Sequence, residues 1–379
     1  MSDQHRIRTA ILRAGTSKGI FLMENDLSSD TKKRDQEVLS IFGSPDVRQI
    51  DGLGGADPLT SKVAIIGPAT RSDADVDYTF GQVSFTKAFV DYSGNCGNIS
   101  AGVGPFAIDE GLVRVVEPVT TVRIHNTNTG KILVAEVPVK DGKSQVVGDY
   151  KIDGVPGTGA KIMLDFAGTA GAVTNKVLPT GNAIDVINVP EVGELEISIV
   201  DVANPMVFVK AKDLGLTGIE TPAEIGANKK MLGILEQIRG KATTMIGMAN
   251  SEDDALQSSP AFPMIAFVSE PHDYVDFTTG NTISASNVDL VSRLMFMQVM
   301  HKTYAGTGTT CTGAASKIPG TIVNEVSRSN DSLVRIGHPA GVIEIEVEVE
   351  ANGKTLEVKR AAFGRTSRRI MDGYSYIVK

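Results

Sequence analysis

The sequence predicts an α/β protein of two pseudo-symmetric lobes, each a central helix wrapped by strands. Three observations carry this. The stretch Ser93-Gly-Asn-Cys-Gly-Asn-Ile-Ser-Ala-Gly-Val-Gly-Pro-Phe-Ala-Ile108 reads as a glycine-rich turn opening an apolar helix that ends near Gly111. Short alternating or β-branched runs flank it on both sides, as expected of strands packed on such a helix. Four sequence anchors of the first half then recur in the same order in the second.

Length and composition set the bounds. A chain of 379 residues has ample core for two domains, and 41% hydrophobic with 22% charged residues is an ordinary globular profile. The net charge of −8 argues against nucleic acid or a membrane surface as a partner. An acidic ligand would therefore have to be met by local donors. Two cysteines, Cys96 and Cys311, are too few for a disulfide framework and fit a reducing compartment. The start Met-Ser-Asp-Gln-His-Arg lacks a signal-peptide apolar core, and no apolar run reaches the ~18 residues a membrane span needs. The expectation is a cytoplasmic protein.

Taken in order, Ile7 to Leu12 reads as a strand, broken by the small polar loop Arg13-Ala-Gly-Thr-Ser-Lys-Gly19 and resumed at Ile20 to Met23. Asp30 to Phe42 has helical spacing. A glycine loop from Asp51 ends at Lys62, the mouth of the apolar strand Val63 to Ile66. Tyr78 to Val90 alternates like a strand. Beyond the central helix, Thr121 to Ile124 and Ile132 to Val137 flank Asn126-Thr-Asn-Thr-Gly130 and read as a hairpin. Glycines and prolines crowd residues 140–190, so the boundary is expected near 185, giving lobes 1–185 and 186–379. The terminal Tyr374 to Val378 should pair as a strand, returning to the first lobe.

In the repeat, Ile20 to Leu27 lines up with Val207 to Leu214, placing Ser17 opposite Asn204. Lys62-Val-Ala-Ile matches Met264-Ile-Ala-Phe, each preceded by an X-Pro pair, Asp57-Pro58 and Ser259-Pro260. Cys96-Gly-Asn-Ile is matched to Thr310-Cys-Thr-Gly, taken as the start of a helix running to about Arg328. Val122 to Ile124 matches Val334 to Ile336. Two copies of one unit facing each other across a cleft would aim two helix N-termini at one ligand, a clamp suited to two carboxylates. A thiol at a helix start such as Cys96 is favoured as thiolate. The copies differ at Lys62 against Met264 and at Cys96 against Thr310, so one catalytic pair from the first half is expected.

Arg13 to Gly19, Thr60-Ser-Lys62, Gly94-Asn-Cys-Gly-Asn-Ile99, Lys317-Ile-Pro-Gly-Thr321 and Gly364 to Met371 resemble the methylaconitate isomerase family over nearly the whole length. The resemblance implies the diaminopimelate epimerase fold, a site in the interdomain cleft, no cofactor, no metal, and catalysis by Lys62 and Cys96. It implies a 1,3-proton shift that moves a double bond in an unsaturated dicarboxylate, with 3-methylitaconate and 2,3-dimethylmaleate as the expected pair. Isomerisation of methylaconitate or 4-oxalomesaconate, or a cofactor-free racemisation, is the alternative within enzymes, and a non-catalytic carboxylate receptor lies outside them. Such enzymes often form homo-dimers or homo-tetramers. The two-thiol epimerases of this fold carry a cysteine at each helix start, whereas the position matched here is Thr310.

Charge would build on carboxylate oxygens of an extended enolate, where preorganised N–H groups matter most. The candidate donors are the amides of Gly97, Asn98, Thr310 and Cys311, with the side chains of Ser17 and Asn204 and a counter-charge from Lys18 or Lys302. Lys62, beside an apolar strand, is the base, because desolvation favours the neutral amine. Cys96 returns the proton or assists on the other side, and the reverse assignment stays open because the reaction is reversible. Met206 is a candidate pocket residue beside Asn204. The five histidines are scattered without ligand spacing, and Gly306-Thr-Gly308 lacks the rest of a dinucleotide fingerprint.

Overall fold

The apolar run after Cys96 is the element on which the first half is built. A computed structural model describes residues 3–171, 173–352 and 355–378, which divide into two compact units. Unit 1 comprises residues 1–164 and 365–379, and unit 2 residues 165–364. The division falls before the expected 185. The reason is that Asp201 holds the 170s segment in unit 2, accepting from the Val173 and Thr174 amides while its carbonyl accepts from Gly171.

In unit 1, β1 (Gln4–Ala14) turns at Gly15 and Thr16 into β2 (Ser17–Met23), antiparallel to it. The loop expected over Arg13 to Gly19 is thus mostly strand, because Gly15, at φ +53°, lets two residues reverse the chain. Helix α1 (Thr31–Phe42) starts at Asp30, whose carboxylate accepts from the Lys33 amide. Next come β3 (Lys62–Pro68), β4 (Val76–Val83) and β5 (Val90–Asp91). The strand expected across Tyr78 to Val90 is therefore interrupted after Val83. Helix α2 (Gly97–Asp109) follows, then the hairpin of β6 (Val119–Asn126) and β7 (Lys131–Lys140). The closing strand Ser367–Val378 pairs antiparallel with β1 from Gln4 opposite Val378 to Ala14 opposite Ser367.

Every residue of α2 from Gly97 to Ile108 is buried, with β1, β2, β3, β4, β6, β7 and the closing strand all against it. Small residues permit that approach. A Cβ at Gly102 would lie 2.5 Å from Phe21 Cζ, and one at Gly104 would lie 2.7 Å from Val137 Cγ2. Strand side chains alternate between faces. Phe21 packs on Phe106 of α2, while Ile20, Leu22, Val63 and Ile65 meet Val38, Ile41 and Phe42 of α1 on the other face. Burying a side chain of this size is worth about 1.5–3 kcal/mol.

Unit 2 repeats the pairing order. In unit 1, β1 and β2 are antiparallel, β2 and β3 parallel, β3 and β4 antiparallel, β4 and β6 parallel, β6 and β7 antiparallel. In unit 2 the strands Gly193–Val202, Asn204–Lys210, Met264–Ser269, Leu290–Phe296, Leu333–His338 and Gly341–Asn352 pair in the same sequence of senses. The helix Lys229–Met245 covers the outer face in the way α1 does, through Ile234, Leu235 and Ile238. The buried helix Gly306–Lys317 takes the place of α2. It stops short of the expected Arg328, because Pro319 disfavours helix at Ile318 and Gly320 adopts φ +81°; a separate turn, Ile322–Val326, follows.

Two glycine substitutions should act in opposite directions. Gly102→Val overpacks the contact with Phe21 and should destabilise the protein by about 1–3 kcal/mol. Gly233 lies on an exposed helical face with open space around it, so Gly233→Ala should stabilise by up to about 1 kcal/mol. Denaturant midpoints of the two variants against the parent check both signs.

Candidate active site

The sheet register brings the first-half candidates onto one face. Gly19 of β2 pairs with Lys62 of β3, and Lys62 pairs with Gln82 of β4. Ser17, two residues before Gly19, shares that face. The face looks onto the first turn of α2, since a Cβ at Gly19 would lie 2.7 Å from Ile99 Cδ1. Lys18 projects from the other face, where its ammonium lies beside Gly55, away from Lys62.

Lys62 is only 3% exposed. Its Nζ donates to Gln82 Oε1 at 2.7 Å and lies 5.6 Å from the centre of the Phe80 ring. Burial pushes the amine below the ordinary lysine range. The Cys96 and Asp57 charges and a side-chain hydrogen bond with Cys96 oppose that shift. The amine and the thiol thus share one site.

Cys96 caps α2 in extended conformation, φ −119° and ψ 103°, and its side chain makes no capping bond. The turn is held by backbone instead. The Cys96 amide donates to Asn95 Oδ1 at 2.7 Å, and its carbonyl accepts from the Ser100 hydroxyl at 2.9 Å. The thiol is left to face the site, half-buried. The Gly97, Asn98 and Ile99 amides open the helix with no intrahelical acceptor. Ser17 Oγ and Ser93 Oγ are buried and have no hydrogen-bond partner among the described residues. Tyr78 is also buried, its phenol pushed well above its ordinary range by desolvation and then by the Cys96 charge, with Ser100 opposing.

A second cation stands at the same helix end. Arg365, 2% exposed, donates from Nε to Asn98 Oδ1 at 3.0 Å. Asn98 Nδ2 donates to Thr16 Oγ1 at 3.1 Å, and a Cβ on Gly15 would lie 2.2 Å from Asn98 Oδ1. The β1–β2 turn, α2 and the approach to the closing strand are therefore tied at one point. Burial pushes the guanidinium down to about 10, with Tyr150 and Cys96 supporting its charge. Arg365 heads the basic cluster of Arg365, Arg368 and Arg369, and Arg369 pairs with Glu110 at 2.8 Å.

Unit 2 alters part of the expected donor set. Its central helix starts at Gly306 with Ala305 as cap, so Ala305 stands where Cys96 stands in unit 1. Thr310 and Cys311 lie inside the helix, and their amides are spent on intrahelical bonds. Thr310 Oγ1 donates to the Gly306 carbonyl at 3.1 Å, and Cys311 Sγ to the Val200 carbonyl at 3.2 Å. Burial pushes the Cys311 thiol up. The mismatch arises because Thr310-Cys-Thr-Gly313, with a cysteine and a glycine close together as in Cys96-Gly97, lies one turn inside a helix that Gly306-Thr-Gly308 opens. Asn204 is fully buried at the start of its strand, its amide donating to Thr307 Oγ1 at 2.9 Å, and Met206 is buried on the same face. Lys302 is exposed in the segment before the helix.

Gln82, Tyr78, Ser93 and Arg365 are the site residues that sequence reasoning passed over. Two of them had a signal, Ser93 in its place at the head of the glycine-rich turn and Arg365 in the family-like stretch Gly364 to Met371. Among the described residues no cluster of His, Cys, Asp or Glu is arranged to hold a metal ion, and no helix is long and apolar enough to cross a membrane.

Known proteins share this architecture. The chain is 65% identical to 3-methylitaconate isomerase of Eubacterium barkeri over 381 residues, covering 100% of this chain and 99% of that one. A crystal structure of methylitaconate-delta-isomerase matches with a TM-score of 0.82 and 64% identity, covering 100% of this chain and 97% of that one. A hydroxyproline epimerase from Agrobacterium vitis matches with a TM-score of 0.59 at 14% identity, covering 99% and 93%, and shows the diaminopimelate epimerase-like fold alone. The profile of the PrpF protein family matches residues 4–378, and the chain belongs to that family.

Proposed function

We propose that this chain is a cofactor-independent isomerase that interconverts 3-methylitaconate and 2,3-dimethylmaleate by a 1,3-proton shift. Identity at 65% over the full length supports the substrate pair. The observation that carries the mechanism is the buried Lys62 amine, hydrogen-bonded to Gln82 and close enough to Cys96 to feel its charge. An ordinary lysine near 10.4 is an ammonium at neutral pH and a poor base. Burial shifts this one toward the free amine, the form able to take a proton.

In the forward direction Lys62 Nζ takes the proton from the methyl-bearing carbon next to a carboxylate. The C–H electrons pass into an extended dienolate, and the negative charge settles on carboxylate oxygen. The Cys96 thiol then gives its proton to the exocyclic methylene carbon, which becomes a methyl group. The amine is now an ammonium and the thiol a thiolate. Proton transfer from the ammonium to the neighbouring thiolate restores both. In this reading the Gly97 and Asn98 amides and Ser17 Oγ hold the enolate, and one such donor is worth about 3–4 kcal/mol. Arg365 adds positive potential behind Asn98. This reading includes a cytoplasmic homo-oligomer.

Proton NMR in D₂O should show 3-methylitaconate losing its methylene signals as deuterium enters the new methyl group. A panel with methylaconitate and 4-oxalomesaconate should turn over more slowly. Deuterium entering a stereocentre without double-bond movement would instead mark a racemase, and affinity without exchange a binding protein. Lys62→Met should lower kcat by at least about 10²; near-parent turnover would remove the lysine from the reaction. Because the neutral amine is the active form, kcat/KM should rise with pH and level off below the ordinary lysine range.

A further inference from the structure

We infer that Gln82 is a positioning residue, which selects the direction in which the Lys62 amine meets the substrate and sets how readily it holds its proton. This rests on Lys62 being the base. The side chain of Gln82 is 1% exposed, and its orientation is determined by its partners. Its Nε2 faces the Ser61 carbonyl at 3.0 Å and the Pro58 carbonyl at 3.3 Å. Carbonyls only accept, so the amide nitrogen must point there and Oε1 must point at Lys62, 2.7 Å away. A flipped amide would set two carbonyl oxygens against a third and nitrogen against nitrogen.

The nitrogen of Lys62 has four tetrahedral corners. Cε takes one, and Gln82 Oε1 receives an N–H at a second. The lone pair of the neutral amine must then occupy a corner other than the one that points at Gln82, because Oε1 is itself an acceptor. Gln82 thereby restricts the rotation of the amine and keeps its lone pair pointed away from Oε1. A neutral acceptor is suited to this work. It accepts an N–H from either form and favours the ammonium, but less strongly than a carboxylate would. The charged groups facing Lys62 from the elements packed on it are Cys96 at the start of α2 and Asp57 in the loop before β3, both favouring the ammonium. Gln82, on β4, adds direction without adding charge.

The test is the pH dependence of kcat/KM in Gln82→Glu and Gln82→Met, each first shown by circular dichroism and thermal melting to be folded. The glutamate should raise the proton affinity of Lys62 and move the acid limb up by at least about one pH unit. The methionine removes the acceptor from a buried cation, so its acid limb should move down while kcat falls by at least about tenfold and KM stays near the parent value. Opposite displacements of the limb support the inference. Limbs unmoved in both variants, with Lys62→Met inactive, would overturn it and leave the lysine's role intact. An active Lys62→Met enzyme would instead overturn the mechanism beneath it.

Discussion

The constraint on which the rest of the site depends is the removal of a lysine amine from water. Burying an ammonium costs several kcal/mol even after relaxation, and the structure meets that cost in part with a carbonyl oxygen and a neighbouring thiol. What remains of the cost favours the neutral amine. The apolar strand behind Lys62, the Phe80 ring beside it and the closed face of α2 are therefore parts of the chemistry as much as of the core.

The same helix serves packing and charge. Small residues along α2 let β2 come close enough for Phe21 to fill the space over Gly102, and that closeness brings Ser17 and Lys62 to the first turn. The N-terminal amides then face the site with Cys96 at the cap. Arg365 locks Asn98 to the β1–β2 turn. The chain leaves unit 1 after Leu164 and re-enters it at Arg365, so the buried guanidinium sits where the returning segment joins the helix.

The repeat shows how one scaffold can be kept while its chemistry is confined to one copy. Strand senses and register agree: Ser17, Gly19 and Lys62 correspond to Asn204, Met206 and Met264. Cys96 corresponds to Ala305, since both cap a central helix that a glycine begins. Unit 2 thus holds neither an amine nor a thiol at the equivalent places. Cys311, the second cysteine, is sealed against the Val200 carbonyl.

By itself the sequence determined the α/β repeat, the helix after Cys96, the hairpin of β6 and β7, and the pairing of Lys62 with Cys96 as candidates. Each is written in local pattern: glycines at a turn, alternation in strands, matched anchors between halves. The fold class and family were legible for the same reason. The start of the second helix was not, because Thr310-Cys-Thr-Gly mimics the first motif one turn late, and only backbone hydrogen bonding shows that Gly306 opens it. Nor was the boundary, since Asp201 gathers the 170s segment through bonds that span some thirty residues. Tertiary structure alone decided that Gln82 faces Lys62, that Lys18 turns away and that Arg365 reaches Asn98. Those choices depend on strand register and on contacts between distant segments, and local sequence pattern encodes neither.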